Sequence, residues 1–115
     1  MAFTAEYRQC VEDALGAVVP ITSKPMFGGL GIYSRDLFFA LIDEDRLYFK
    51  VDDLNRGDYE AGREPFFPYE GAKPMMGYWE LPDGLLDQPD ELAVWIDKSL
   101  AVAERAALKK KPRRR

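Results

Sequence analysis

Between Met26 and Asp52 the chain reads MFGGLGIYSRDLFFALIDEDRLYFKVD, and this stretch holds most of the side chains able to build a core. Apolar runs of six to eight residues are separated by the polar triplets Ser34-Arg35-Asp36 and Asp43-Glu44-Asp45. Runs that short, bounded by turn-forming residues, predict three strands joined by tight turns rather than helices. In MFGGLGIY, Phe27, Gly29, Gly31 and Tyr33 alternate with Met26, Gly28, Leu30 and Ile32. Glycine inside a strand costs backbone entropy, so Gly28, Gly29 and Gly31 imply a bulge, a bend or the close approach of a helix. LFFALI is apolar on both faces and is expected at the centre of the sheet. RLYFKV puts Leu47, Phe49 and Val51 on one face, with Arg46, Tyr48 and Lys50 on the other.

Helices are expected to flank this core. Thr4 is a suitable N-cap, Glu6 suits the positive helix end, and Tyr7, Val11, Ala14, Leu15 and Val18 follow one apolar stripe. Cys10 lies beside that stripe and is expected as a small core residue. Ile21 to Pro25 reads as a connector. After the third strand, Asp52 or Asp53 caps a short helix from Leu54 to Ala61, which Gly62 ends. PFFPYEG and MMGYWELP form a hairpin through Gly71-Ala72-Lys73-Pro74, and Pro68 makes the first of them an edge or bent strand. In the last helix Asp87 is the predicted cap, with Pro89, Asp90 and Glu91 in the first turn. Leu92, Trp95, Ile96, Ser99, Leu100 and Ala103 form its inward stripe, and Pro112 ends it. The fold class is therefore α+β, with an antiparallel five-stranded sheet in the order helix, three strands, short helix, two strands, long helix.

The length of 115 residues fits one domain, assigned to residues 1–108, with 109–115 as a basic, disordered tail. Apolar residues at 47% and aromatics at 13% exclude a disordered chain. No apolar run reaches the roughly 18 residues of a membrane span, and the N-terminus lacks signal-peptide character. A single cysteine cannot form an internal disulfide, so the expected setting is reducing and cytoplasmic. Charge is divided unevenly. Residues 1–108 carry 10 basic and 20 acidic side chains, a net −10, while the last seven carry +6. An acidic body repels nucleic acid, whereas the tail attracts any polyanion.

With no histidine, catalytic triads and the common zinc sets are excluded, and one cysteine excludes cysteine-based zinc clusters. Gly29-Leu30-Gly31 would need a third glycine where Ser34 stands, and a strand follows instead of a helix, so the dinucleotide reading fails. Asp43-Glu44-Asp45 and Asp52-Asp53 are explained by a turn and a cap. The reading is a non-enzymatic domain with no metal and no cofactor. Tyr48 and Lys50 share a strand face, and Tyr78 and Glu80 share another, so Tyr48, Lys50 and Tyr78 form the candidate binding surface, for a protein or, in the alternative, for a small molecule. A solvated sheet face with snorkelling side chains accounts for the same pattern. Lys109, Lys110, Lys111, Arg113, Arg114 and Arg115 are the candidate nucleic-acid contact, weak and salt-sensitive.

MFGGLGIY, LFFALIDEDRLYFKVD, PFFPYEG, GYWELP and ELAVWIDKSLAVA, taken in order, resemble the N-terminal domain family of TfoX/Sxy competence regulators over residues 7–105. The matching positions are Met26, Phe27, Gly28, Gly29, Gly31, Leu47, Tyr48, Lys50, Asp52, Tyr78, Leu81, Pro82 and Trp95; Met26, Phe27, Gly28, Gly29, Gly31 and Trp95 are taken as structural. The resemblance implies a two-layer α+β domain of secretion-chaperone-like architecture that often dimerises. It also implies a role in transcriptional regulation through protein contacts. Relatives of full length carry a second, helical domain, and this chain is expected to be a single-domain member. The expected partner is a protein, another copy of the chain included.

Overall fold

Arg35 and Asp36, and again Glu44 and Asp45, have positive φ of 52–63°. Two consecutive left-handed residues make the primed two-residue turn whose twist matches the strands on either side. Both predicted turns are therefore tight hairpin turns. They join β2 (Gly29–Ser34), β3 (Leu37–Asp43) and β4 (Arg46–Lys50) into an antiparallel meander. The computed structural model describes residues 3–26, 29–59, 64–67, 71–82 and 84–110, with the side chains of Met75, Met76, Lys109 and Lys110 outside that description.

The sheet has six strands rather than five. The additional one is β1 (Thr22–Met26), which pairs antiparallel with β2 from Thr22↔Tyr33 to Met26↔Gly29. This corrects the connector expected over Ile21 to Pro25; an edge strand tolerates Pro25 because one side of it owes the ladder no N–H. The first predicted strand accordingly starts at Gly29, and Phe27 and Gly28 lie outside the described residues. The remaining strands are β5 (Pro65–Phe66) and β6 (Met75–Glu80), giving the spatial order β1-β2-β3-β4-β6-β5 with every pair antiparallel. LFFALI is interior as expected, and β5 lies at an edge. Pro68 is outside the described residues.

Helix α1 (Ala5–Gly16) starts where Thr4 caps it, its Oγ1 accepting from the Tyr7 N–H at 3.1 Å. The Thr4 N–H in turn donates to Asp45 Oδ1 at 2.7 Å, which ties the helix start to the β3–β4 turn. Helix α2 (Pro89–Lys110) follows a 3₁₀ turn at Leu85–Asp87. Asp87 belongs to that turn, so Gln88, whose carbonyl accepts the Leu92 N–H at 2.8 Å, stands at the cap position instead. Val11 and Leu15 from α1, and Leu92, Ile96, Leu100 and Ala103 from α2, pack with Leu30, Ile32, Ala40, Ile42, Leu47, Phe49 and Trp79 in the main core. Ser99 is also buried, and Trp95 lies half-buried, edge-on to Tyr59 at 4.6 Å. Cys10 is exposed, contrary to expectation: one residue before Val11, it is turned about 100° round the axis and leaves the packed stripe.

The short helix expected over Leu54–Ala61 is reduced to a 3₁₀ turn at Arg56–Asp58; residues 60–63 are outside the description. Gly57 in its middle weakens a longer helix, and Asn55 bends the chain back onto the sheet. Asn55 Oδ1 accepts the Asp52 N–H at 2.8 Å, and its Nδ2 donates to the Lys50 carbonyl at 3.3 Å. The glycine requirement in β2 also has a different origin from those expected. A Cβ at Gly29 would overlap the Ile42 carbonyl oxygen on the neighbouring strand, and one at Gly31 would meet Met26 Sδ at 2.9 Å and the Phe38 ring at 3.1 Å. The bulge in this pair lies one step on, between Ile32 and Tyr33.

Candidate functional site: the second face of the sheet

Alternation along the strands sends every other side chain away from the helices, and the register sorts these into three rows across the sheet. The first carries Thr22, Tyr33 and Phe38 in register on one side and Lys50 with Tyr78 on the other, joined where Lys50 lies over Phe38. The second carries Lys24, Gly31, Leu41, Tyr48 and Glu80, and the third Met26, Gly29, Asp43 and Arg46. Leu41, Tyr48, Phe66 and Tyr78 form a second buried cluster with Phe38 against it, and none of these residues comes from a helix.

The first row is aromatic. Ring centroids lie 5.2 Å apart for Tyr33–Phe38 and 5.5 Å for Phe38–Tyr78, both tilted. Lysines rest on this row. Lys50 Nζ donates to the Tyr78 hydroxyl at 2.9 Å and lies 4.8 Å from the Tyr78 ring centroid and 5.7 Å from that of Phe38. Lys24 Nζ lies 5.1 Å from the Tyr33 centroid. Such contacts exploit the negative face of the ring but leave the ammonium charge in place. Burial pulls the Lys50 ammonium below the usual lysine range, since the charged form is the one that loses hydration. Among the described residues neither Lys24 nor Lys50 makes an ion pair. Arg8, Arg46, Arg56, Lys98 and Arg105, by contrast, lie within 4.0 Å of Glu12, Glu80, Asp53, Asp58 and Asp52 respectively.

The three candidate surface residues thus separate. Lys50 and Tyr78 are in direct contact. Tyr48 lies in the second row, 8% exposed and stacked edge-on against Phe66 at 5.1 Å, with its hydroxyl pushed up by burial and then by Glu80. Tyr78 is also 8% exposed, so the face is a packed cluster rather than a solvated surface. The sequence did not single out Tyr33, Phe38 and Lys24. Tyr33 shares the parity of Gly29 and Gly31 and was legible as a face residue; Lys24 was hidden by the connector reading of its strand. The other end of the face is charged, with Arg46 Nη1 3.7 Å from Glu80.

A separate cleft of about 330 Å³ opens between α1 and the ends of β4 and β6, lined in part by Tyr7, Cys10, Asp45, Arg46 and Glu80. Burial, reinforced by the nearby Cys10, Glu80 and Asp45, pushes the Tyr7 hydroxyl up to about 12, so Tyr7 stays neutral there. Among the described residues there is no group of three carboxylate or cysteine side chains that could hold a metal, and no helix long and apolar enough to cross a membrane. Of the basic tail, Lys109 and Lys110 extend the backbone of α2, while Lys111, Arg113, Arg114 and Arg115 lie outside the described residues.

An antiparallel sheet, with helical residues in the core on one face and an aromatic row on the other, defines a small α+β domain. Residues 13–103 match the family described as the TfoX N-terminal domain, and the chain belongs to that family. No curated protein matches it.

Proposed function

We propose that the domain is a non-enzymatic protein-interaction module that serves transcriptional regulation, as family membership suggests, and that it binds through the second sheet face. The observation that carries this reading is the row Tyr33–Phe38–Tyr78 with the Lys24 and Lys50 ammoniums resting on it and, among the described residues, no carboxylate paired with either. Aromatic side chains beside cationic ends supply contact area at low entropic cost, which is why such groups are enriched where proteins bind one another.

Geometry favours the face over the edges. Pro25 interrupts the donors of β1, and β5 has only two residues, one of them Pro65. Short and proline-bearing edges are poor templates for an added strand. A photo-crosslinking amino acid placed at Tyr33, with Val94 on the exposed side of α2 as control, tests the reading in the producing cell. A protein captured from position 33 and not from 94, whose purified form then binds the wild-type chain and not Lys50→Gln, supports it. Equal capture from both positions overturns it. Two copies of this chain joined through position 33 would make the partner a homodimer mate.

The six cations from Lys109 onward support a second reading, contact with nucleic acid. Duplex binding by the full chain that falls steeply with salt and vanishes in a chain ending at Leu108 would favour it.

A further inference from the structure

We propose that this face receives a short acidic segment of its partner, whose carboxylates pair with Lys24 and Lys50 while its apolar side chains lie along the aromatic row; the inference rests on the interaction reading above. Residues 1–108 hold twice as many acidic as basic side chains, so a cation there has acids in excess to choose from. Five of the described basic residues have taken one. Lys24 and Lys50 instead sit on Tyr33, Phe38 and Tyr78, and Lys50 has lost much of its hydration as well. A desolvated ammonium without a counter-charge gains more from an arriving carboxylate than a hydrated one does.

The same geometry argues against nucleic acid as the occupant. Nucleic acid carries one negative charge per nucleotide along its whole length, so it meets the entire face and not the two lysines alone. Asp43 and Glu80 together outnumber Arg46, which lies opposite the one and pairs with the other, so this part of the face repels a polyanion that crosses it.

The test uses the full chain and three probes: a capped hexapeptide of four glutamates and two phenylalanines, the same peptide with glutamines for glutamates, and a ten-nucleotide oligothymidine. Binding is followed by calorimetry and by backbone amide shifts at 50 mM and 300 mM salt. The acidic peptide is expected to bind about tenfold more tightly than the neutral one, shifting residues of β1, β2 and β4 and weakening with salt. Lys24→Gln and Lys50→Gln should each weaken it about fivefold, while Arg8→Gln, on α1, leaves it unchanged. Thermal midpoints of all three variants confirm folding. Equal binding of the neutral peptide overturns the acidic preference but leaves the face as a protein-binding surface. Tighter binding of oligothymidine overturns the inference in favour of nucleic acid. An acidic peptide that shifts no residue of this face overturns it as well, and capture at position 33 then decides the broader reading separately.

Discussion

Ser99, buried on α2, donates its hydroxyl proton to the carbonyl of Lys50 at 3.0 Å, and Asn55 reaches the same oxygen. The strand that presents Lys50 to one face of the sheet is thereby fastened from the other. Ser99→Ala removes one of two donors and should cost about 1 kcal/mol. Asn55→Ala also removes the side-chain acceptor of the Asp52 N–H and should cost about 2 kcal/mol. Urea denaturation distinguishes them, and equal effects would show that the Asp52 bond adds nothing.

Lys50 should lower stability while serving binding. A lysine whose folded-state pKa lies below its unfolded value is penalised in the folded state at neutral pH, and the penalty is relieved as pH rises from the folded value towards the ordinary lysine range. Lys50→Met removes the buried charge and keeps the apolar stem over Phe38 and Tyr78. The thermal midpoint should rise by about 3 °C at pH 7. A lower midpoint would mean that the bond to Tyr78 outweighs desolvation.

The tyrosines give the opposite pH dependence. Tyr7 is pushed up to about 12, and burial also raises Tyr48 and Tyr59. A group with a raised folded pKa contributes stability that is complete below its unfolded pKa near 10 and is lost as pH climbs through the folded value. Stability should therefore fall between pH 10 and 12. The phenolate absorbance of at least three of the six tyrosines should appear together with unfolding. Complete titration at pH 10 with the fold intact would contradict the burial of these rings.

Two glycines two residues apart should respond differently to the same substitution. Gly29→Ala drives a methyl into the Ile42 carbonyl, a backbone atom fixed by the sheet, and should cost about 3 kcal/mol or more. At Gly31 the nearest atom is the flexible Met26 sulfur, and alanine should cost about 1 kcal/mol. Comparable losses in denaturant melts would mean that the β1–β2 hairpin is fixed as firmly as the strand it packs on.

Asp36 holds φ 63°, in the left-handed region that favours glycine. Asp36→Gly should stabilise the β2–β3 turn by about 0.5 kcal/mol, the relief of left-handed strain exceeding the added freedom of the unfolded chain. Asp36→Val should destabilise it. A stabilised valine variant would exclude the primed turn.

Periodicity carried the meander, the Thr4 cap and the inward stripe of α2, because strand alternation and helical spacing are local properties of the chain. What it could not carry was set by neighbours. Whether Thr22–Met26 is connector or strand depends on β2 offering it a free edge, and nothing within those five residues records that. Cys10 looked like core because it borders the stripe; which side of α1 is covered is decided by the sheet. The candidate face was half legible. Tyr48, Lys50 and Tyr78 share a side by alternation, but the long-range register decides that Lys50 meets Tyr78 while Tyr48 meets Phe66.

Pro25 and the two-residue β5 also bear on what happens when many copies of this domain are crowded together. A strand edge with its full set of donors and acceptors invites the next molecule to continue the sheet, and the product is a fibre. Here one edge is a strand carrying Pro25 and the other a strand of two residues, so each end of the sheet is a poor template for such growth.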